Sequence, residues 1–226
     1  MDQTLIDFAA SRREGLNAVL RTLEQRGHGV DRRQFLQRHD ELATIEDDRY
    51  LSEGKWNPTQ ARFQTLCAEF GLPQDGFAKQ VTDTYVEARY ANLRQYPEAH
   101  DALEALRASF PLYLVTNGPA DSQHREIRVT GMAPYFKRMF VCEDFGIRKP
   151  DRAVFAMIRQ EAGVADHEML MVGDNPEADI GTPRSMGWAT VWVVRDDERR
   201  RLENSPRADA AVRSVAEVLP LLRAAR

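Results

Sequence analysis

The spacing of hydrophobic residues changes once along the chain, close to residue 94. Before that point apolar side chains recur every three or four positions, as Leu16, Val19 and Leu23 do, and this spacing is typical of helices with one buried face. After it, short apolar runs alternate with helical segments, which is typical of a parallel sheet with helices on both faces. The pattern therefore predicts an α/β fold that carries an additional all-helical region.

Four helices are predicted in the first region, because residues that cap a helix or interrupt a preceding segment recur there. The predicted starts are Ser11 (in a Ser-x-x-Glu capping box), Asp31, Asn57-Pro58 and Phe77. We predict that residues 11–93 form a compact helical bundle that is inserted as a cap. Residues 1–10 and 94–226 are then expected to form the α/β core.

Four strands are predicted in the second region, each from a short apolar run. They are Leu112–Thr116, Met139–Cys142, Met169–Val172 and Thr190–Val194. The helices predicted around them lie near Leu103–Leu106, Ser122–Val129, Asp151–Ala162 and Val215–Leu222. Parallel strands of this kind end at one edge of the sheet, which is where open α/β sheets bind ligands.

Composition excludes several classes of protein. The net charge is −4 and the pI about 5.8, so the chain lacks a field that would attract nucleic acid or an anionic membrane. No apolar run approaches the roughly 20 residues of a membrane helix. Cys67 and Cys142 are far apart, and we expect both to be buried and reduced in a cytoplasmic protein. The expected state is a monomer or homodimer with a small-molecule substrate.

Two aspartates follow the third predicted strand. Gly173 ends the strand, Asp174 comes next, and Asp179 follows five positions later, after Pro176 has started a helical turn. Two carboxylates that converge at a strand's carboxyl end suit Mg²⁺, which prefers oxygen ligands and keeps several waters. The alternative is that Asp174 caps a helix and Asp179 faces solvent.

Two further polar stretches are predicted at the same edge. Thr116-Asn117-Gly118-Pro119 follows the first strand and offers a hydroxyl, an amide and free backbone N–H groups, which suit an anion, although an ordinary turn explains them as well. Lys149 precedes Pro150, which cannot continue a strand and begins a helix well. Lys149 is either an ordinary surface lysine or a point charge for phosphate.

Together these stretches resemble the haloacid dehalogenase superfamily of phosphohydrolases. The resemblance rests on Leu-Val-Thr-Asn-Gly (residues 114–118), Lys-Pro-Asp (residues 149–151) and Gly-Asp followed by Asp (residues 173–179), in that order. It covers about residues 97–195 closely and implies a Rossmann-like parallel sheet with a helical cap. The pattern is most similar to the nucleotidase-like and N-acylneuraminate-9-phosphatase-like subgroup.

The superfamily's first motif is Asp-x-Asp-x-Thr at the end of a strand, and this chain matches it from the second aspartate onward. The resemblance makes Asp2 the general acid/base and Thr4 the motif threonine. The nucleophilic aspartate is expected directly before Met1, and the strand that delivers it, normally the central one, is expected to be missing from this chain. Such a gap would leave unpaired backbone groups on both neighbouring strands.

The implied activity is Mg²⁺-dependent hydrolysis of a small phosphorylated metabolite through an aspartyl-phosphate. The implied catalytic residues are Asp2, Thr116 and Lys149. Phosphate is expected at Thr116, Asn117, Gly118 and Lys149, and Mg²⁺ at Asp2, Asp174 and Asp179. Three alternatives stay open: an inactive module that binds phosphate or metal, a metal-independent dehalogenase on the same fold, and a phosphotransferase or mutase.

Overall fold

The chain divides into two compact units. A computed structural model describes residues 1–52, 59–73, 75–195 and 207–224, and for residues 45–52 it describes the backbone alone. The first unit comprises Met1–Asp7 and Arg94–Arg226, and the second comprises Phe8–Leu93. The predicted helix start at Asn57-Pro58 lies outside the described residues.

The second unit is helical over its described residues. Its helices are α1 (Phe8–Gln25), α2 (Arg32–Ser52), α3 (Thr59–Glu69) and α4 (Phe77–Ala91). Their apolar faces share one core, in which Val19, Phe35 and Phe63 are fully buried. Gly15 allows α1 to pack closely on α4, because a Cβ there would lie 2.8 Å from the Tyr85 ring. These helices therefore make up one compact unit, and its role as an inserted cap stays a prediction.

The starts of two of these helices test the capping predictions. Asp31 caps α2 as predicted, since its Oδ1 accepts a hydrogen bond from the Gln34 N–H at 2.8 Å. The capping box at Ser11 is wrong, because α1 begins at Phe8 and Ser11 lies within it. The Ser11 hydroxyl instead donates to the Phe8 carbonyl at 2.8 Å, a bond that lets a buried serine be accommodated inside a helix.

The first unit has the predicted α/β fold with parallel strands. Its elements are α5 (Ala99–Arg107), β1 (Tyr113–Thr116), α6 (Ala120–Thr130), β2 (Arg138–Val141), α7 (Arg152–Ala162), β3 (Leu170–Gly173), α8 (Gly181–Ser185), β4 (Ala189–Val193), β5 (Ala210–Val212) and α9 (Val218–Ala224). All strand pairs are parallel: β1 with β2, β3 with β4, and β4 with β5. The four predicted strands are thus confirmed within one or two residues, and β5 is additional.

Strand pairing gives two sheets, one of order β1-β2 and one of order β3-β4-β5. Within the described ranges, no strand ladder joins β1 to β3, and the missing central strand stays a prediction. The core between sheet and helices contains Phe140 of β2, Phe155 of α7 and Trp188 before β4, with the last two rings edge to face at 5.6 Å. Apolar burial of this kind fixes the strand ends that carry the site.

Two predictions from composition can be checked here. Cys67 and Cys142 are both free and buried, as expected. Among the helices formed by the described residues, none is long and apolar enough to cross a membrane.

Candidate active site

Lys149 and Asp179 form a buried ion pair beyond the strand ends. The Lys149 Nζ donates to Asp179 Oδ1 at 2.6 Å, and the two side chains are only 7% and 5% exposed. The interpretation of Lys149 as a surface lysine is therefore wrong. Burial by itself lowers the pKa of Lys149, but the adjacent Asp179 carboxylate outweighs it, so that the pKa lies above its usual value. Asp179 therefore keeps Lys149 charged and fixes its ammonium group next to the strand ends.

The turn after β3 sets the position of Asp179. Asn175 caps it, because its Oδ1 accepts hydrogen bonds from the N–H groups of Glu177 and Ala178, both at 3.0 Å. The wide helical turn Pro176–Ile180 then brings Asp179 Oδ2 back to the Asn175 N–H at 3.1 Å. The alternative in which Asp174 caps this helix and Asp179 faces solvent is thus wrong, since Asn175 is the cap and Asp179 is buried.

Gly173 is required by the same arrangement. A Cβ added to Gly173 would lie 2.3 Å from Asp179 Oδ2, which is closer than two such atoms can approach. The glycine therefore leaves the space that the Asp179 carboxylate occupies. The Gly-Asp pattern in the sequence marks this close approach as well as the end of the strand.

Asn117 joins the end of β1 to the residue that carries the positive charge. Its Nδ2 donates to the Lys149 carbonyl at 2.9 Å, and its Oδ1 accepts from the Lys149 N–H at 2.9 Å. Gly118 follows with a φ of 116°, a backbone conformation that favours glycine. The predicted phosphate turn and Lys149 are therefore brought together, and Asn117 holds the lysine backbone through two bonds.

Thr116 is held from α6 by residues that sequence reasoning did not identify. Its hydroxyl donates to Gln123 Oε1 at 2.6 Å, and Gln123 Nε2 donates to Glu126 Oε2 at 3.2 Å. All three side chains are buried. Gln123 and Glu126 are spaced three apart on the inner face of a helix otherwise rich in polar residues, and that spacing was the only sequence signal for them.

Thr4 links the first motif to Asp174. The Thr4 hydroxyl donates to Asp174 Oδ1 at 2.7 Å, and the Trp192 Nε1–H donates to the Asp174 carbonyl at 2.9 Å. Burial raises the pKa of Asp174 above its usual value. Asp2 Oδ1 is buried and has no hydrogen-bond partner among the described residues. Two partly desolvated carboxyl groups therefore belong to the same polar region as Thr4.

Arg195 reaches this region from the end of β4. Its guanidinium donates to the carbonyls of Gln3 at 3.1 Å and Thr4 at 2.9 Å. In the sequence Arg195 heads a mixed charge run, residues 195–201, and such a run predicts a solvated loop and helix start. For Arg195 that expectation is wrong, because its side chain is 15% exposed, and residues 196–201 lie outside the described part.

The carboxylates can be compared with what Mg²⁺ requires. Mg²⁺ is commonly held by one or two protein carboxylates together with waters and substrate phosphate. Asp2 fits this role, because its buried Oδ1 lacks a partner, and Asp174 fits because its carboxyl group is desolvated. Asp179 already accepts from Lys149 and from Asn175. No three His, Cys, Asp or Glu side chains in the described segments form a metal-binding group, so the three-aspartate set stays a prediction.

Comparisons with known proteins point in the same direction as the motifs. A family model described as haloacid dehalogenase-like hydrolase matches residues 1–187. A phosphoserine phosphatase of Thermus thermophilus is 36% identical over 151 residues, which are 65% of this chain and 60% of that protein. The pyrimidine 5'-nucleotidase PynA of Streptococcus pneumoniae is 29% identical over 201 residues, 85% of this chain and 80% of that protein.

A solved structure is similar over nearly the whole chain. The HAD-hydrolase YfnB from Bacillus subtilis, described as bound to magnesium, superposes with a TM-score of 0.74 at 26% identity, and the match covers 98% of this chain and 95% of that one. The matched part of the present chain spans only 60% of the Thermus phosphatase. Substrate and activity are therefore not carried over from these relatives directly.

Proposed function

The chain belongs to the haloacid dehalogenase-like hydrolases, and from that premise we propose that it is a Mg²⁺-dependent phosphatase of small phosphorylated metabolites. Relatives that are named as phosphatases and nucleotidases support the reaction class. The similarity to YfnB, which is described as bound to magnesium, supports the metal. The choice between an amino-acid, nucleotide or sugar phosphate is left to the experiment below.

One observation carries the proposal: four polar segments far apart in sequence are tied together by short hydrogen bonds beyond the strand ends. Thr4 bonds Asp174, Asn117 bonds the Lys149 backbone twice, and the Lys149 side chain bonds Asp179. Burying this many polar groups is costly unless each is paired. A fixed cation and carboxylates in one place form a site suited to a phosphoryl group and its metal ion.

The proposed reaction has two steps. A carboxylate that the motif resemblance places directly before Met1 attacks phosphorus in line, and the bond from phosphorus to the ester oxygen breaks while Asp2 gives its proton to that oxygen. Asp2 then takes a proton from water, whose oxygen bonds phosphorus and releases inorganic phosphate and the carboxylate. In both steps Lys149 offsets negative charge on the phosphoryl oxygens, and Asn117 keeps Lys149 in place.

The remaining residues bind rather than transfer protons. We assign the phosphoryl oxygens to Thr116, the backbone of Asn117 and Gly118, and Lys149. Asp174 would hold Mg²⁺, whose contribution is to neutralise phosphoryl charge and fix its orientation, while the Asp2 carboxyl is kept for proton transfer. Asp179 then acts mainly by keeping Lys149 charged and oriented.

The test is an assay of phosphate release from phosphoserine, pyrimidine 5'-monophosphates and sugar phosphates, with and without Mg²⁺. The enzyme is a chain extended so that an aspartate precedes Met1, and the 226-residue chain serves as the control that lacks the nucleophile. Asp174→Asn in the extended chain is expected to lose nearly all Mg²⁺-dependent turnover. Asp101→Asn, on the exposed first turn of α5, is the matched control.

The outcomes separate the competing functions. Unchanged Mg²⁺-dependent turnover in Asp174→Asn would refute the metal role. Halide release from a 2-haloacid without Mg²⁺ would identify a dehalogenase instead. Binding of inorganic phosphate by the extended chain without turnover of any ester would identify a binding module.

A further inference from the structure

The side chain of Arg195 makes four contacts, all with residues of the first unit. Beyond the bonds to the carbonyls of Gln3 and Thr4, its Nη1 lies 2.7 Å from Glu98 Oε1, and its Cζ lies 3.3 Å from the centroid of the Tyr96 ring. A planar guanidinium can serve a carboxylate, two carbonyls and an aromatic face at once, whereas an ammonium cannot. The guanidinium is therefore held both through its N–H groups and over one of its faces.

The pairing of β4 fixes the backbone from which Arg195 reaches the loop between Met1 and Ile6. The Val194 N–H donates to the Val212 carbonyl at 2.8 Å, so the backbone directly before Arg195 is anchored on the neighbouring strand. Tyr96 is anchored in turn, because its N–H donates to the Leu5 carbonyl at 2.9 Å. Arg195 thus bridges two fixed segments and the loop between Met1 and Ile6.

That loop is closed partly by its own backbone, since the Gln3 N–H donates to the Ile6 carbonyl at 2.8 Å, whereas the carbonyls of Gln3 and Thr4 accept from Arg195. Gln3 adopts a φ of 55°, a left-handed conformation that non-glycine residues rarely adopt. Asp2 Oδ1 is buried without a hydrogen-bond partner, so this oxygen contributes no bond that would fix the carboxylate. The position of the Asp2 carboxylate then depends on the backbone that follows it, and the carbonyls of that backbone are the ones that Arg195 holds.

We infer that Arg195 is a positioning residue that fixes the backbone of Gln3 and Thr4, and through it the alignment of Asp2 and Thr4 with Asp174. The role of Asp2 in proton transfer rests on the proposed function, whereas the support of the loop does not. Arg195 itself touches neither substrate nor metal in this assignment. Its effect passes through the Thr4–Asp174 bond and the direction of the Asp2 side chain.

The first experiment measures amide hydrogen exchange in the 226-residue chain and needs no activity. In Arg195→Met the amides of residues 3–6 are expected to exchange at least about tenfold faster, because the loop opens locally. Arg184→Met is the matched control, since the Arg184 Nη1 also donates to a carbonyl, that of Arg207, at 2.5 Å, and its Nη2 lies 3.3 Å from Asp209. The control is expected to leave residues 3–6 unchanged.

The second experiment measures kinetics in the extended chain. Arg195→Met is expected to lower kcat about 100-fold while KM changes less than about threefold, because misplaced reacting groups slow the chemical step more than binding. Arg195→Lys keeps the charge near Glu98 but lacks the fork that spans two carbonyls, so it is expected to restore little of the lost kcat. A merely structural arginine would instead be rescued by lysine at equal folded fraction.

A failure of the proposed function can be distinguished from a failure of the inference about Arg195. If the wild-type extended chain hydrolyses no phosphomonoester, the proposed function fails, and the exchange result alone decides whether Arg195 supports the loop. Unchanged exchange at residues 3–6 in Arg195→Met would overturn the inference. So would a loss of kcat in Arg184→Met that matches the loss in Arg195→Met.

Discussion

Each unit of the molecule buries an ionisable basic side chain, and these two side chains lie in opposite electrostatic environments. In the first unit Lys149 faces Asp179, which is as buried as Lys149 itself, and the pKa of the lysine is raised. In the second unit His39 is fully buried between helices, and burial together with the charges of Arg62 and Arg12 lowers its pKa from 6.5 to about 4. Lys149 is therefore charged, and His39 is neutral at pH 7.

The difference lies in the partner rather than in the depth of burial. His39 Nδ1 lies 3.3 Å from Asp40 Oδ1 and 3.2 Å from Arg12 Nη2, and Asp40 is 60% exposed and itself contacts Arg12. A solvated carboxylate that is shared with an arginine interacts weakly with the histidine. A buried carboxylate that serves one lysine interacts strongly. A buried basic group thus keeps its charge where the counter-charge is buried with it, and loses its charge where the counter-charge is solvated.

Breaking the Lys149–Asp179 ion pair is expected to give the largest effect on stability. Lys149→Met leaves the Asp179 carboxylate buried without its cation, which should cost about 3–5 kcal/mol of the free energy of unfolding. The measurement is urea denaturation followed by circular dichroism. The variant Lys149→Met/Asp179→Leu removes both charges and should be less destabilised than Lys149→Met alone. Additive losses in the double variant would show that the two groups do not interact.

Titration of His39 is expected to give the next largest effect. Because the pKa of His39 in the folded chain, about 4, lies below its ordinary 6.5, the unfolded chain binds the proton first, and stability is lost as the pH falls from 6.5 to 4. At about 1.4 kcal/mol per pH unit the full loss is about 3 kcal/mol. The check is the difference in unfolding free energy between wild type and His39→Gln as a function of pH. A pH-independent difference would contradict the prediction.

Gly173→Ala is expected to weaken the Lys149–Asp179 ion pair without removing a charge. The new methyl group would overlap Asp179 Oδ2 and force that carboxylate away from Lys149, at a cost of about 1–3 kcal/mol. Gly29→Ala is the control, since a Cβ there meets nothing within 4 Å and should leave stability within about 0.5 kcal/mol. Equal denaturation midpoints for the two variants would argue against the close approach.

Arg12→Met should give the smallest effect and sharpen the account of His39. Removing a half-buried positive neighbour is expected to raise the pKa of His39, because the charge of Arg12 follows burial and Arg62 among the causes that lower it. The ring protons of His39 report this in an NMR titration. The exposed neighbour Arg13 is the control, and an equal shift in Arg13→Met would indicate a general charge effect.

Features that depend on local sequence could be predicted. Asp174 lies directly after a strand, because an apolar run bounded by glycine locates a strand end, and Lys149 lies shortly before α7, near the helix start that Pro150 indicates. The helices of the second unit were likewise predictable, since they repeat one apolar spacing. The start of α1 was misjudged, because a Ser-x-x-Glu pattern occurs inside helices as well as at their starts.

Features that depend on distant partners could not be predicted. Strand β5 consists of Ala210, Ala211 and Val212, and its pairing with β4 rather than its own pattern makes it a strand. Arg195 is held by Gln3 and Thr4, which lie more than 190 residues before it in the chain. A charge run carries no signal that its first member will be buried. The contact of Gln123 with Thr116 likewise depends on a partner in another element, which the spacing of Gln123 and Glu126 along α6 does not identify.

The chain enters and leaves the helical unit at neighbouring points. The Asp7 N–H donates to the Arg94 carbonyl at 3.1 Å, and Ile6 pairs with Gln95 in an antiparallel bridge. The chain therefore leaves the first unit for the helical unit, and returns from it, beside one isolated β-bridge. In engineering terms the helical unit is a replaceable module: a tight turn grafted between residues 7 and 94 would close the first unit without stretching its backbone, and a different module could be spliced at the same two residues.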